Sequence, residues 1–146
     1  MQRGHTLSEL LVTVVVAATL AGVSVPGIAW VEGRAAVGAD ARSLAFVLRR
    51  AQARAAMSGA TVTVRLEGQG RSYICEQTGG TGATVLERGE FHGPCATNYP
   101  GDVVEFRTWG WPCSLSGEPR AGSFTFTSHG AQAAVVLQMG GRVRWQ

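Results

Sequence analysis

The chain has 146 residues, room for one domain rather than two, and its 45% apolar content is unevenly spread, with much of it between Leu7 and Trp30; that leaves a compact head of about ninety residues with a thin core. The formal charge of +3 does not describe the head: residues 59–146 hold seven arginines (65, 71, 88, 107, 120, 142, 144) against seven acids (67, 76, 87, 90, 102, 105, 118), and the excess comes from residues 31–58, where five arginines face only Glu32 and Asp40. A general positive field drawing the head to nucleic acid is thereby excluded, so any such binding has to come from a local patch.

The first element in chain order is apolar. Leu10 to Trp30 carries no charge, and as a helix it reaches roughly 32 Å, enough to cross a bilayer core. Trp30 closes the run where an indole favours the interface, and Arg34 follows. Arg3 on the other flank stays cytoplasmic on this reading, which puts the C-terminal bulk outside. A secretory signal is the competing reading. It needs a small-residue cleavage site after the apolar run, which Ala29 imitates, but Glu9 at the start of the run argues against it. A carboxylate at membrane depth is costly and normally has a partner; taken alone, Glu9 reads as resting in the headgroup region.

Gly4-His5-Thr6-Leu7-Ser8-Glu9-Leu10 resembles the type IV prepilin (class III) signal, in which a short basic leader ends in Gly and runs into Thr-Leu-x-Glu-Leu. The resemblance implies that a membrane prepilin peptidase cuts after Gly4 and methylates the new N-terminus, His5. It gives Glu9 a role in filament assembly: the free amine of one subunit neutralises the carboxylate of its neighbour while both are in lipid, which sets the axial register. Pro26 falls where pilins often carry a helix-loosening proline. The sequence departs from the family pattern at His5, where Phe is usual, and this bears on methylation.

From Arg34 to Ser58 the period is helical. Val37, Ala41, Leu44, Ala45, Leu48, Ala51 and Ala55 form one apolar stripe, with Arg42, Arg49, Arg50 and Arg54 largely off it, read as a solvated face. Gly59 is the expected C-cap, and Gly33 and Gly38 predict a softer joint between the two halves of the helix. Beyond Gly59 the period switches to two. Strands are predicted at Thr61–Leu66, Arg71–Cys75, Thr84–Phe91, Val103–Trp109 and Ser123–Thr127, and a hairpin at Ala134–Met139 and Arg142–Trp145 across Gly140-Gly141. Gly93–Asp102 and Gly110–Gly122 read as loops, and Gly79-Gly80-Thr81-Gly82 as a turn without the Lys of a phosphate loop. The expected fold is α+β: one long helix packed against a mostly antiparallel sheet.

Cys75, Cys95 and Cys113 all follow the apolar segment. With the head outside the cytoplasm, one disulfide and one leftover thiol are expected, the pairing being left open by the sequence. Their spacing does not match a zinc site. His92, His129 and the cysteines form no recognisable nucleophile–base set, so the chain reads as a protein without catalytic residues, metal or cofactor.

Leu48-Arg49-Arg50-Ala51-Gln52-Ala53-Arg54-Ala55 leading to Val62-Thr63-Val64, with the ending Gly141-Arg142-Val143-Arg144, resembles the GspH/FimT-type minor pseudopilins. The resemblance implies a leader over residues 1–4, a transmembrane and assembly segment over 5–30, an amphipathic half-helix over 31–58 and a β-rich head over 59–146. It implies a subunit of the bacterial inner membrane that joins other pilins in a type IV pilus or a type II secretion pseudopilus. In a strand Val143 and Trp145 would face the core while Arg142 and Arg144 face out, roughly 7 Å apart. Such guanidinium forks suit phosphate oxygens, and in FimT-like proteins of natural transformation the motif is implicated in binding double-stranded DNA. Outward arginines on an edge strand also discourage strand pairing, which is the alternative reading of Arg142 and Arg144.

Overall fold

The computed structural model describes residues 7–80 and 82–146, with residues 23–29 described as helical backbone only. Among the described residues one α-helix, α1 (Leu7–Ser58, 52 residues), precedes nine strands, with a short 3-10 turn at Pro100–Asp102. The apolar stripe of its second half is buried from Val37 through Ala55, with Val47 beside it. Spacings of three and four place these side chains on one face, and the alanines among them let the strands approach the helix axis closely. The helix stops where predicted: Gly59 takes φ 66° and its N–H donates to the Ala55 carbonyl at 3.0 Å.

α1 runs unbroken through Gly33 and Gly38, the positions of the expected softer joint. Gly33 also serves close packing. A Cβ there would stand 2.9 Å from both the His129 Cβ and the Ser128 carbonyl oxygen, so only glycine lets the helix seat against that turn.

The strands are β1 (Thr61–Glu67), β2 (Ser72–Gly79), β3 (Gly82–Glu90), β4 (Cys95–Thr97), β5 (Val103–Phe106), β6 (Pro112–Cys113), β7 (Gly122–Ser128), β8 (Ala131–Leu137) and β9 (Val143–Trp145). They form two antiparallel sheets, one in the order β3-β2-β1-β5-β6 and one in the order β4-β7-β8-β9, where a single sheet was expected. Two short strands arise inside the predicted loops: β4 lies against β7 (Cys95 opposite Phe126) and β6 against β5 (Cys113 opposite Glu105). The strand expected to reach Trp109 ends at Phe106.

The helix stripe faces Val62, Val64, Val104 and Phe106 of the first sheet and Phe124, Phe126, Val135 and Leu137 of the second, all buried. Their alternation along each strand is the period-two signature of a half-buried sheet. Rings join the two sheets: Phe91 lies 5.3 Å from Tyr73 of β2 and packs edge-on at 4.9 Å against Phe126 of β7.

A second tie between helix and head is polar. Asp40 of α1 is 3% exposed. Its Oδ2 accepts the backbone N–H of His92 at 2.9 Å and of Gly93 at 3.3 Å, and its Oδ1 lies 2.7 Å from His92 Nδ1. The connection from β3 to β4 is thus clamped to the helix.

The expected disulfide is also corrected, since Cys75, Cys95 and Cys113 are all free and buried. Cys75 on β2 and Cys113 on β6 are separated by β1 and β5, roughly 14 Å at the usual strand spacing, against the ~4.4–6.8 Å between Cα atoms that a bridge needs. The Cys95 amide donates to the Gly70 carbonyl at 2.9 Å, at the turn before β2 and five residues from Cys75 along the chain.

Candidate functional site

Two surfaces carry the residues that the sequence singles out. The first is the N-terminal half of α1. Leu7, Leu10, Leu11, Val12, Val14, Val15, Val16 and Leu20 are all exposed, and no part of the head covers them. Two threonine hydroxyls on this stretch turn inward: Thr13 Oγ1 donates to the Glu9 and Leu10 carbonyls at 3.0 and 2.8 Å, and Thr19 Oγ1 to the Val15 and Val16 carbonyls at 3.1 and 2.8 Å. Back-bonding of this kind hides a polar group from an apolar surrounding.

Glu9 lies in the first turn of α1, where a carboxylate complements the helix dipole. Gly4 and His5 fall outside the described residues, and the side chain of Pro26 falls outside them too. Among the described residues no helical run is long and apolar enough to cross a membrane.

The second surface is the C-terminal edge. β9 is an outer strand of its sheet, paired with β8 through Leu137–Val143 and Val136–Arg144. Arg142 stands in the turn just before the strand and Arg144 within it, both exposed. The expected inward pair is half right: Val143 is buried, but Trp145 is half exposed and lies under the guanidinium of Arg42 at 5.7 Å from its ring centroid. The strand leaves the core at its last residues, so the indole finds a helix cation instead of apolar neighbours.

Arg42 and Arg49, read from the sequence as part of a solvated face, belong to this edge. Arg49 Nη2 donates to the Val143 carbonyl at 3.1 Å. The seven-residue interval between them is two helical turns, which puts both on one side of α1; that spacing was the available signal. None of Arg42, Arg49, Arg142 and Arg144 has a carboxylate within ion-pair range among the described residues. Arg50 differs, since it pairs with Glu87 at 3.0 Å. The result is a basic strip along one flank of an otherwise neutral head.

The thiols are not poised as nucleophiles. Burial, with the nearby Glu87 carboxylate adding to it, pushes the Cys75 thiol from 9.0 up to about 11. Burial, then Asp40 and Asp102, pushes Cys95 up to about 12, and Cys113 is raised by burial as well. Protonated thiols of this kind are inert at neutral pH. Buried Tyr73 and Tyr99 are likewise pushed from 10.0 to about 12.

No protein-family model and no curated protein sequence matches the chain. Solved structures do. The type IV minor pilin FimU of Pseudomonas aeruginosa superimposes with a TM-score of 0.62 at 13% identity, over 75% of this chain and 87% of that one. The minor pseudopilin EpsH from the type 2 secretion system of Vibrio cholerae gives 0.62 at 16% identity, over 76% and 96%, and a second EpsH structure gives 0.62 at 12%, over 77% and 97%. The chain has the α+β fold of the type IV minor pilins and pseudopilins, a long N-terminal helix packed against a head of antiparallel strands.

Proposed function

We propose that the chain is a structural, non-catalytic minor pilin or pseudopilin. It is cut after Gly4 by a prepilin peptidase, held in the bacterial inner membrane by residues 5–30 with its head outside the cytoplasm, and then built into a filament with other pilins. The observation that carries this reading is the division of α1. Its second half is sealed into the head by the Val37–Ala55 stripe, while residues 7–22 of its first half present apolar side chains on all sides. A helix apolar all round needs lipid or other helices about it, and a filament core of packed helices supplies the latter. Glu9 at the start of that half is the charge that a neighbouring subunit's N-terminal amine neutralises.

Co-expression with a prepilin peptidase, followed by mass measurement of the N-terminus, tests the first step: the mature chain begins at His5. Glu9→Ala leaves that cleavage intact and lowers the amount of subunit in sheared filaments. Normal incorporation of Glu9→Ala would remove the role given to the carboxylate. Whether the filament is a pilus or a secretion pseudopilus is decided by deleting the gene and scoring piliation, transformation and secretion side by side.

The basic strip supports a second reading on the same scaffold, a FimT-like receptor for double-stranded DNA in transformation. Arg142 and Arg144 are the phosphate-facing pair, with Arg42 and Arg49 behind them. Binding through so few charges is weak and steeply salt-dependent, so display of several copies on a filament has to raise it. In Arg142→Ala/Arg144→Ala the slope of log affinity against log salt falls by about 2, near 0.9 per lost phosphate contact. An unchanged slope would leave the tail as an edge guard.

A further inference from the structure

The turn that carries Arg142 is pressed against a loop from the other sheet. A Cβ on Gly141 would overlap the Gln52 amide and stand 3.0 Å from the Gly110 carbonyl oxygen, and one on Gly110 would stand 3.4 Å from Gln52 Cγ. Gly110 and Gly141 have φ of 71° and 80°, so neither position accepts another residue without strain. Gln52 lies on α1 one turn beyond Arg49. Two loops distant in sequence therefore meet over a single helix turn, one bearing the tail arginines and the other bearing Trp109 and Trp111.

Those indoles are turned outward, with Trp109 79% and Trp111 49% exposed. With Arg107, Cys113, Gly117 and Pro119 they line an apolar cleft of about 310 Å³. Arg107 lies along Gly117 and shares its charge with Glu105 at 3.7 Å, so the cleft itself is close to neutral. The unanswered charges are those of the strip that begins at Arg142. An apolar cleft lined by indoles beside a row of guanidinium groups is the arrangement by which proteins hold unpaired nucleic-acid bases: indoles stack on the base, which always offers a π-face, and arginines follow the phosphates. A neutral sugar would also stack on the indoles, but it leaves the charge of the adjoining arginines unanswered.

We propose that the Trp109–Trp111 cleft is a stacking site for an unpaired base of a DNA strand whose phosphates pass over Arg142 and Arg144. The cleft is at the small end of ligand sites and admits one ring system. Bases inside a duplex are stacked on one another and do not enter, so the cleft favours single strands and frayed ends. This inference rests on the nucleic-acid reading of the tail and adds to it a preference for unpaired bases.

The test uses the full chain in detergent micelles at low salt, with fluorescence anisotropy of a short labelled oligothymidylate and of a blunt duplex of the same length. Trp109→Ala weakens the oligothymidylate by on the order of 5- to 150-fold and leaves the duplex little changed, while Trp109→Phe keeps most of the affinity. Arg142→Ala/Arg144→Ala weakens both. Oligothymidylate binding unaffected by Trp109→Ala and Trp111→Ala overturns the stacking site while the tail reading stands. Wild-type protein that binds neither probe overturns both. Sedimentation showing self-association that depends on Trp109, with no change in DNA binding, gives the cleft to a second copy of the chain and likewise overturns the proposal.

Discussion

Replacing Asp40 by alanine separates the helix from the head at one defined point. The carboxylate accepts the backbone N–H groups of His92 and Gly93 and faces His92 Nδ1 at 2.7 Å, all from a position 3% exposed. In Asp40→Ala two backbone donors lose their acceptor, at about 1–3 kcal/mol each when no substitute is available. Water reaches the His92 side, whose imidazole is 72% exposed, and removing a buried carboxylate returns part of its desolvation cost. The net loss is therefore about 2–4 kcal/mol. Asp40→Asn behaves differently. Its Oδ1 can take the place of Oδ2 and accept both N–H groups, while its amide faces Nδ1, which accepts in the other imidazole tautomer. That variant loses about 1 kcal/mol or less, and His92→Ala, which deletes one largely exposed hydrogen bond, loses about 0.5–1.5 kcal/mol. Urea unfolding of the full chain in micelles, followed by circular dichroism and extrapolated to zero denaturant, gives all three values. Equal stability of Asp40→Ala and Asp40→Asn would refute the reasoning, because it would mean that the two backbone donors do not depend on this side chain.

Other perturbations follow from the same packing. Gly70→Ala puts a Cβ into the Cys95 carbonyl at φ 78° and costs about 3 kcal/mol or more in urea unfolding; a near-neutral result would mean that the β1–β2 turn can move away from β4. Gly33→Val drives a side chain into the Ser128–His129 turn and costs about 1–3 kcal/mol, with amide exchange faster in residues 30–40 of α1 than around Leu48. At alkaline pH the head loses stability. Its buried thiols hold their protons up to about 11 and 12, whereas the unfolded chain releases them near 9, so from about pH 9 upward the unfolded state binds fewer protons and is favoured. Urea midpoints fall over that range and level off above the folded values; Cys75→Ala makes the fall shallower, and midpoints rising from pH 9 to 11 would contradict the assignment.

The helix, its core stripe, the Gly59 stop, most of the long strands and the last hairpin were legible because each is written in a local period or a single turn residue. The same holds for the contrast between the neutral head and the basic half-helix, which is simple counting along the chain. The short strands β4 and β6 were not legible. Two or three residues among prolines and glycines become strand only because Phe126 and Glu105 stand opposite them. The close packing at Gly33 was not legible because its neighbour, the His129 turn, lies nearly a hundred residues away. Asp40 drew attention only as a charge, its partners being backbone groups more than fifty residues on.

For the candidate surfaces the division is the same. The sequence by itself determined the apolar first half of α1 with Glu9 at its start, and the Arg142–Arg144 pair, since both are consecutive patterns. Only the tertiary structure decided what stands beside them: Arg42 over the Trp145 ring, Arg49 on the Val143 carbonyl, and the Trp109 loop against Gly141. It also leaves all three thiols free and buried, with Cys75 and Cys113 held apart by the two strands between them. Periodicity fixes which face of an element is apolar, whereas the pairing of distant segments is set by how two sheets close over one helix, and no local pattern carries that information.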